Sequence, residues 1–178
     1  MPSQNPTSPG TPDTTPSAPT AATALEAARR YAASFTPARG EHASLAVVAC
    51  MDRRLDVMSL LGLQAGDAYI IRNAGGVLTE DVRRSLAIAQ HALGVQEILL
   101  IHHTDCGMSH LDDEVFTDSL ERETGQRPTW RPGGFTDAAQ DVRQALTGLA
   151  ADPHVPDGAS ARGFVYDVAT GELAEVQR

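Results

Sequence analysis

Short apolar runs alternate with helical patterns along most of this chain, and this alternation limits the folds open to it. Residues 44–49, 68–72 and 97–101 are the clearest runs, rich in the aliphatic side chains typical of strands buried on both faces of a parallel sheet. Helical spacing of apolar residues follows over 52–61 and 79–93. The alternation predicts an α/β fold with a mostly parallel central sheet, flanked by helices and connected by right-handed crossovers.

The C-terminal third continues this pattern. A polar, acidic segment at 111–123 is expected to be a loop or helix, and a helix is predicted over 137–149. A strand over 163–169 and a turn at Thr170–Gly171 lead into a short return strand at 172–176.

The N-terminal segment differs in composition from the rest. Residues 1–20 are rich in Pro, Ser and Thr, which predicts a disordered tail, and residues 21–178 are expected to form one domain. Residues 20–35 are alanine-rich with helical spacing, which predicts an N-terminal helical arm. Because this arm carries few large apolar groups, it can bury little surface against its own domain. We therefore expect it to pack on a partner subunit.

Composition excludes several functions. The net charge of −9 and the pI near 5.0 argue against a nucleic-acid partner, which needs clustered cations. All 14 basic residues are arginine, so Schiff-base catalysis and a Walker phosphate loop both lack their lysine. No run approaches the length of a membrane-spanning helix, so no membrane association is expected. Two cysteines are too few for a disulfide scaffold, and we predict a cytoplasmic location.

Both cysteines and one histidine follow predicted strands. Cys50 ends the first apolar run, and His103 and Cys106 follow the third. Parallel strands would bring these side chains together, and two thiolates with one imidazole suit a zinc ion that keeps a fourth position open for catalysis. Three alternatives remain: the cysteines are small buried hydrophobes, they form a disulfide, or another histidine completes a structural site (His42, His91, His102, His110 or His154).

Asp52 and Arg54 follow Cys50 in the pattern Cys-x-Asp-x-Arg. An aspartate held ionised by the arginine could accept a hydrogen bond from a metal-bound water, or could itself ligate the metal. The alternative is that Asp52 caps the helix predicted over 52–61.

These motifs resemble the zinc-binding signature of β-class carbonic anhydrases. The resemblance is carried by residues 50–54 (Cys-Met-Asp-Arg-Arg), 103–107 (His-Thr-Asp-Cys-Gly) and 72–76 (Arg-Asn-Ala-Gly-Gly), and it extends from about residue 45 to 168. It implies that zinc held by Cys50, His103 and Cys106 supplies a hydroxide that attacks carbon dioxide to give bicarbonate.

The resemblance also implies roles for neighbouring residues and for subunits. Asp52 would orient the hydroxide, and Arg54 would keep Asp52 charged and directed. Some family members have a closed, inactive state, in which the residue corresponding to Asp52 ligates zinc. In this chain, rising pH would open such a state by favouring the Asp52–Arg54 pair. A homodimer or dimer of dimers is implied, with active sites near subunit contacts.

Three other functions remain open. Carbonyl sulfide or carbon disulfide, as linear analogues of carbon dioxide, would suit the same site, so a hydrolase of these gases is the nearest alternative. A non-catalytic zinc-binding scaffold is a second, and a thiol redox protein is a third, although no Cys-x-x-Cys is present. His110 and the acidic residues 112–114 are expected to be a solvated loop rather than a proton-transfer route.

Overall fold

Five strands form one sheet in the order β2-β1-β3-β4-β5, in a computed structural model that describes residues 19–37 and 42–178. The strands are β1 (Leu45–Cys50), β2 (Ala68–Asn73), β3 (Glu97–His103), β4 (Arg162–Tyr166) and β5 (Leu173–Val176). Strands β1 to β4 run parallel to one another, and β5 runs antiparallel to β4. The predicted α/β fold with a mostly parallel sheet is therefore confirmed.

Five α-helices lie in the described residues. They are α1 (Ala21–Ala33), α2 (Val57–Leu61), α3 (Glu80–Ala92), α4 (Asp113–Thr124) and α5 (Ala138–Ala150), and short 3-10 turns cover Ala74–Gly76, Gly107–His110 and Pro156–Ser160. Side chains cap four of the starts as expected for Thr and Asp: Thr20, Asp56, Thr79 and Asp137 each accept a hydrogen bond from a backbone N–H three residues on. Asp112 does the same for α4, so most of the 111–123 segment is helical. The expectation of a loop at 112–114 was wrong, because residues 113 and 114 lie in the first turn of α4.

Two apolar clusters cover the two faces of the sheet. On one face α3 and α5 present Val82, Leu86, Val142 and Leu146 to alternate residues of β1 and β3. On the other face Leu55 and Val57 pack with Val47, Ala49 and Ile101. Residues 46–49 are fully inaccessible because β1 lies between β2 and β3 with both faces of the sheet covered.

The strand order places a topological switch point at β1 and β3. The chain passes from β1 to β2 on one side, then returns across β1 to β3 on the other. The connections diverge at the C-terminal ends of β1 and β3, which is where open α/β sheets form ligand sites.

The prediction of a helix over 52–61 was wrong in its first half. Helix α2 spans only Val57–Leu61, and its N-cap is Asp56 rather than Asp52. Asp52 is engaged elsewhere, because its Oδ1 accepts a hydrogen bond from the Arg54 N–H at 2.8 Å. This local bond forms a turn that keeps residues 52–55 from continuing as a helix.

The described residues separate into two units, 19–37 and 42–178. The predicted disordered tail over 1–20 falls almost entirely outside the described residues, and the single domain over 21–178 stays a prediction. Helix α1 belongs to the first unit and contains no buried residue. No helix among the described residues is long and apolar enough to cross a membrane.

Gly163 lets α5 approach β4. A Cβ at this position would overlap Val142 Cγ1 and lie 3.0 Å from Leu146 Cδ1, and both partners are fully buried. We predict that Gly163→Ala lowers the free energy of unfolding by about 1–3 kcal/mol through overpacking, measured by urea denaturation. Gly107→Ala is the control, because no atom lies within 4 Å of its added Cβ. Equal stability of the two variants would contradict this packing.

Candidate active site

Three potential metal ligands from two strand ends lie together. The Sγ atoms of Cys50 and Cys106 and a ring nitrogen of His103 are all within 4.8 Å of one another, and all three residues are buried. Cys50 is the last residue of β1, His103 is the last residue of β3, and Cys106 begins the Gly107–His110 turn as its N-cap. The group is the only one of its kind among the described residues.

Strand pairing accounts for the proximity of these residues. β1 and β3 are parallel neighbours, with Ala49 opposite Ile101, so Cys50 and His103 both emerge at the same edge of the sheet. On the other side β2 pairs Cys50 with Asn73, and the Met51 N–H donates to the Asn73 carbonyl. The position of Cys50 is thereby fixed from two sides.

The donor atoms of this group fit a zinc ion. Cys50 Sγ and Cys106 Sγ are 3.9 Å apart, and Zn–S bonds of about 2.3 Å in a tetrahedron would separate two sulfurs by about 3.8 Å. Nδ1 of His103 hydrogen-bonds to the Thr104 carbonyl at 2.8 Å, whereas its buried Nε2 has no hydrogen-bond partner. Since the carbonyl accepts, Nδ1 carries a proton, so Nε2 is the ring nitrogen that would present its lone pair to a metal ion when it is deprotonated.

The two thiols differ in acidity. Burial raises the pKa of Cys50, but the His103 imidazole and the backbone N–H groups of Asp52 and Gly75 outweigh burial and lower its pKa to about 7. Burial, together with the nearby Cys50, raises the pKa of Cys106 to about 11. Cys50 is therefore the thiol that ionises first, and a cation would be needed to stabilise both thiolates. Neither cysteine forms a disulfide.

Asp52 and Arg54 form a two-point ion pair beside the group of three. Arg54 Nε donates to Asp52 Oδ1 at 3.0 Å, and Arg54 Nη2 donates to Asp52 Oδ2 at 2.8 Å. These side-chain bonds, with the bond from the Arg54 N–H, hold the pKa of Asp52 far below its ordinary value. Asp52 Oδ2 lies 3.8 Å from His103 Nε2, so an ionised carboxylate borders the three potential metal ligands without belonging to that group.

Two further residues hold this loop, and the sequence reasoning gave neither a role. Arg72 of β2 donates from Nε and Nη2 to the Cys50 carbonyl, and from Nη2 to the Asp52 carbonyl at 2.8 Å. Asp105 accepts from Arg54 Nη1 at 2.7 Å through its Oδ2, and its carbonyl accepts from Arg54 Nη2. Both residues lie inside the motifs quoted above, but their function depends on contacts between distant segments.

The other histidines lie outside this group. His102 is fully buried, but its Nε2 contacts Asp141 Oδ2 of α5 at 2.8 Å. Because consecutive strand residues point to opposite faces, only one of the adjacent pair His102–His103 can face Cys50. His42, His91, His110 and His154 do not join the group within the described residues. His110 lies in the turn before α4 and is exposed.

Glycine is required where the 74–76 turn crosses the end of β1. A Cβ at Gly76 would lie 2.8 Å from the Cys50 backbone nitrogen, and the residue has φ of +71°. Both constraints exclude a side chain. At Gly75 a Cβ would lie within 3.2 Å of Val77, Met108 and Phe135, so apolar groups border the turn next to Cys50.

Comparison with known proteins agrees with this geometry. A family model for carbonic anhydrase matches residues 45–132. The beta-carbonic anhydrase 1 of Mycobacterium tuberculosis is 55% identical over 132 residues, which cover 74% of this chain and 81% of the relative. This chain belongs to the β-carbonic anhydrase family. Membership in this family supports reversible hydration of carbon dioxide as the activity of the chain.

Solved structures extend the match beyond the motifs. The crystal structure of a carbonic anhydrase from Streptococcus mutans superposes on this β-carbonic anhydrase with a TM-score of 0.80 and 38% identity, covering 88% of this chain and 96% of the other. A carbon disulfide hydrolase of Acidithiobacillus thiooxidans is 31% identical over 147 residues, covering 71% of this chain and 74% of the relative. The family relationship therefore includes proteins named for a sulfur analogue of carbon dioxide.

Removal of the Arg72 guanidinium should loosen the metal-binding group without removing a ligand. We predict that Arg72→Ala weakens zinc binding about 10–100-fold, as for other residues that orient metal ligands through hydrogen bonds. Competition with a chromophoric chelator measures the affinity. Arg143→Ala is the matched control, since Arg143 also donates to a backbone carbonyl, that of Gln177, which is far from the site in sequence. Equal zinc affinity for both variants would refute this role for Arg72.

Proposed function

We propose that this β-carbonic anhydrase interconverts carbon dioxide and bicarbonate at a zinc ion held by Cys50 Sγ, Cys106 Sγ and His103 Nε2. One observation carries the proposal: the three donor atoms lie within 4.8 Å of one another, and the buried Nε2 of His103 has no hydrogen-bond partner. A zinc ion held by these two thiolates and one imidazole would supply hydroxide at neutral pH, because it would lower the pKa of water towards about 7.

Asp52 is proposed to act as the hydrogen-bond acceptor that orients the attacking oxygen. Its carboxylate is held ionised by Arg54 and borders the His103 Nε2 at 3.8 Å. An ionised carboxylate has only acceptor positions, so it selects an oxygen that still carries a proton and directs the lone pair of that oxygen away from itself. Arg54 is proposed to fix the direction of Asp52, because it engages both carboxylate oxygens at once.

The surroundings suit an uncharged substrate. Cys50 and Cys106 belong to an apolar cluster with Leu55, Ile101 and Phe135. Carbon dioxide has no net charge or dipole, so apolar walls accept it without loss of hydrogen bonds, whereas bicarbonate is disfavoured there and would leave.

Hydrolysis of a sulfur analogue is the second candidate. The 31% identity to a carbon disulfide hydrolase supports it, and the same metal-binding group would serve both substrates. A zinc-binding scaffold without activity is less well supported, because Asp52 and Arg54 are paired beside the metal-binding group in a manner that metal binding alone does not require.

Stopped-flow carbon dioxide hydration on zinc-quantified protein tests this function. We expect activity with one zinc per chain, loss of zinc in Cys106→Ser, and full zinc with at least about 100-fold lower kcat/KM in Asp52→Ala, because a misdirected nucleophile reacts that much more slowly. Asp56→Ala is the control, since Asp56 is an aspartate of the same loop that only caps α2.

The outcomes separate the candidates. Full zinc occupancy without hydration, but with release of hydrogen sulfide from carbon disulfide or carbonyl sulfide, would establish the sulfur-gas hydrolase. Full zinc occupancy without turnover of any of these gases would leave the scaffold and contradict the proposal.

A homodimer, or a dimer of dimers, is proposed as the working form. Helix α1 buries none of its residues, and Leu25, Tyr31 and Phe35 are more than half exposed. Trp130 is likewise 58% exposed. Apolar surfaces of this kind favour cover by a second copy of the chain. A cytoplasmic location is likewise proposed, supported by two thiols that stay free at a separation of 3.9 Å.

Light scattering after size exclusion tests the oligomer. We expect a mass of two or four chains for the wild type, and a shift towards one chain in Tyr31→Asp and Trp130→Asp, because a buried charge opposes association. Arg29→Ala is the control, since it changes α1 without affecting its apolar residues. A wild-type protein that elutes as one chain would contradict the proposal.

A further inference from the structure

Asp105 contacts the guanidinium of Arg54 in two ways. Its Oδ2 accepts from Arg54 Nη1 at 2.7 Å, and its backbone carbonyl accepts from Arg54 Nη2 at 2.9 Å. With the two bonds to Asp52, all three nitrogens of the guanidinium are engaged. Asp52 and Arg54 are two residues apart on one loop, whereas Asp105 lies 51 residues further along, between His103 and Cys106.

This arrangement makes Asp105 an external support of the paired side chains, in addition to Arg72, which holds the loop backbone. Asp52 and Arg54 can move together, because a bond between residues of the same loop does not fix that loop relative to the rest of the chain. The bonds from Arg54 to Asp105 join the loop after β1 to the segment that carries the other two metal-binding side chains. Because Arg54 Nη2 is shared between Asp52 Oδ2 and the Asp105 carbonyl, a shift of one partner moves the other.

The backbone of Asp105 is adapted to this contact. It is the only non-glycine residue in the described chain with a positive φ, at 53°. Aspartate and asparagine enter this left-handed region more readily than most residues. In this conformation both the carbonyl and the carboxylate of Asp105 reach Arg54, so a single residue supplies two acceptors.

Stability alone does not account for the pair. The side chain of Asp105 is 69% exposed, and exposed ion pairs add little to folding. Its position argues for another role, since the carboxylate contacts the arginine that directs Asp52. We infer that Asp105 is a positioning residue: by holding Arg54, it keeps the Asp52 carboxylate paired and aimed beside the metal-binding group. This inference rests on the role proposed above for Asp52 and Arg54.

Two substitutions divide the contact into its parts. Asp105→Gly removes the carboxylate but keeps the left-handed backbone and the carbonyl acceptor. Asp105→Asn keeps the backbone and an oxygen acceptor but removes the charge. Asp118→Asn is the matched control, because Asp118 is 59% exposed and accepts at 2.6 Å from Arg127, an arginine that also binds a second and a third carboxylate.

The experiment measures the zinc-loaded full chain in two ways. Carbon dioxide hydration gives kcat and KM, and hydrogen exchange of the Arg54 Nε–H, assigned in ¹⁵N spectra with Arg54→Lys, reports how firmly the guanidinium is held. We expect Asp105→Gly to lower kcat/KM about 10-fold through misplacement of Asp52, and to speed exchange of the Arg54 Nε–H several-fold, at unchanged zinc content. Asp105→Asn should restore most of the kcat/KM and most of the slow exchange, and Asp118→Asn should change neither kcat/KM nor the exchange rate.

Two results would overturn the inference. One is an Arg54 Nε–H that exchanges equally slowly in Asp105→Gly and in the wild type. The other is a fall in kcat/KM that only follows a fall in zinc content, which would make Asp105 a support of the metal-binding segment instead. If the zinc-loaded wild type fails to hydrate carbon dioxide, the proposed function fails, whereas the exchange rates still decide whether Asp105 holds Arg54.

Discussion

Parallel pairing of β1 with β3 is the constraint on which this active site depends. Cys50 and His103 are far apart in the chain, and no local structure could bring them together. Burial of both faces of β1 fixes its register against β2 and β3, because a shift by one residue would move each of its side chains to the opposite packed face. The position of the metal-binding group is therefore a consequence of how the core packs.

Three contacts that involve arginine side chains fix the loop that carries Asp52 relative to the sheet. Arg72 holds the loop backbone from β2, Arg54 holds the Asp52 side chain, and Asp105 holds Arg54 from the segment after β3. Each contact comes from a different strand end around the switch point. The Asp52 carboxylate, proposed to orient the attacking oxygen, is thus restrained by the same sheet that brings Cys50 and His103 together.

The sequence predicts the fold because its strongest signals are local ones. Apolar runs without alternation indicate buried parallel strands, and the caps at Thr79 and Asp137 are visible as residue types at helix starts. The convergence of Cys50, His103 and Cys106 follows from their positions after predicted strands. The function of these residues as zinc ligands stays a proposal.

The remaining features depend on contacts that no local pattern encodes. The start of α2 was misplaced because Asp52 is a good N-cap by type, yet its carboxylate is engaged by Arg54. Arg72 and Asp105 are ordinary surface residues by type, and their roles appear only when the ends of β2 and β3 meet the loop after β1. A left-handed aspartate is equally invisible in the sequence, since aspartate occurs in many conformations.

Anomalous diffraction at the zinc absorption edge, from crystals of protein that hydrates carbon dioxide, tests the central claim most directly. The account predicts one ion per chain, bound to Cys50 Sγ, Cys106 Sγ and His103 Nε2, with Asp52 still paired with Arg54. An ion bound by other residues, or active protein with no ion between these three side chains, would contradict it.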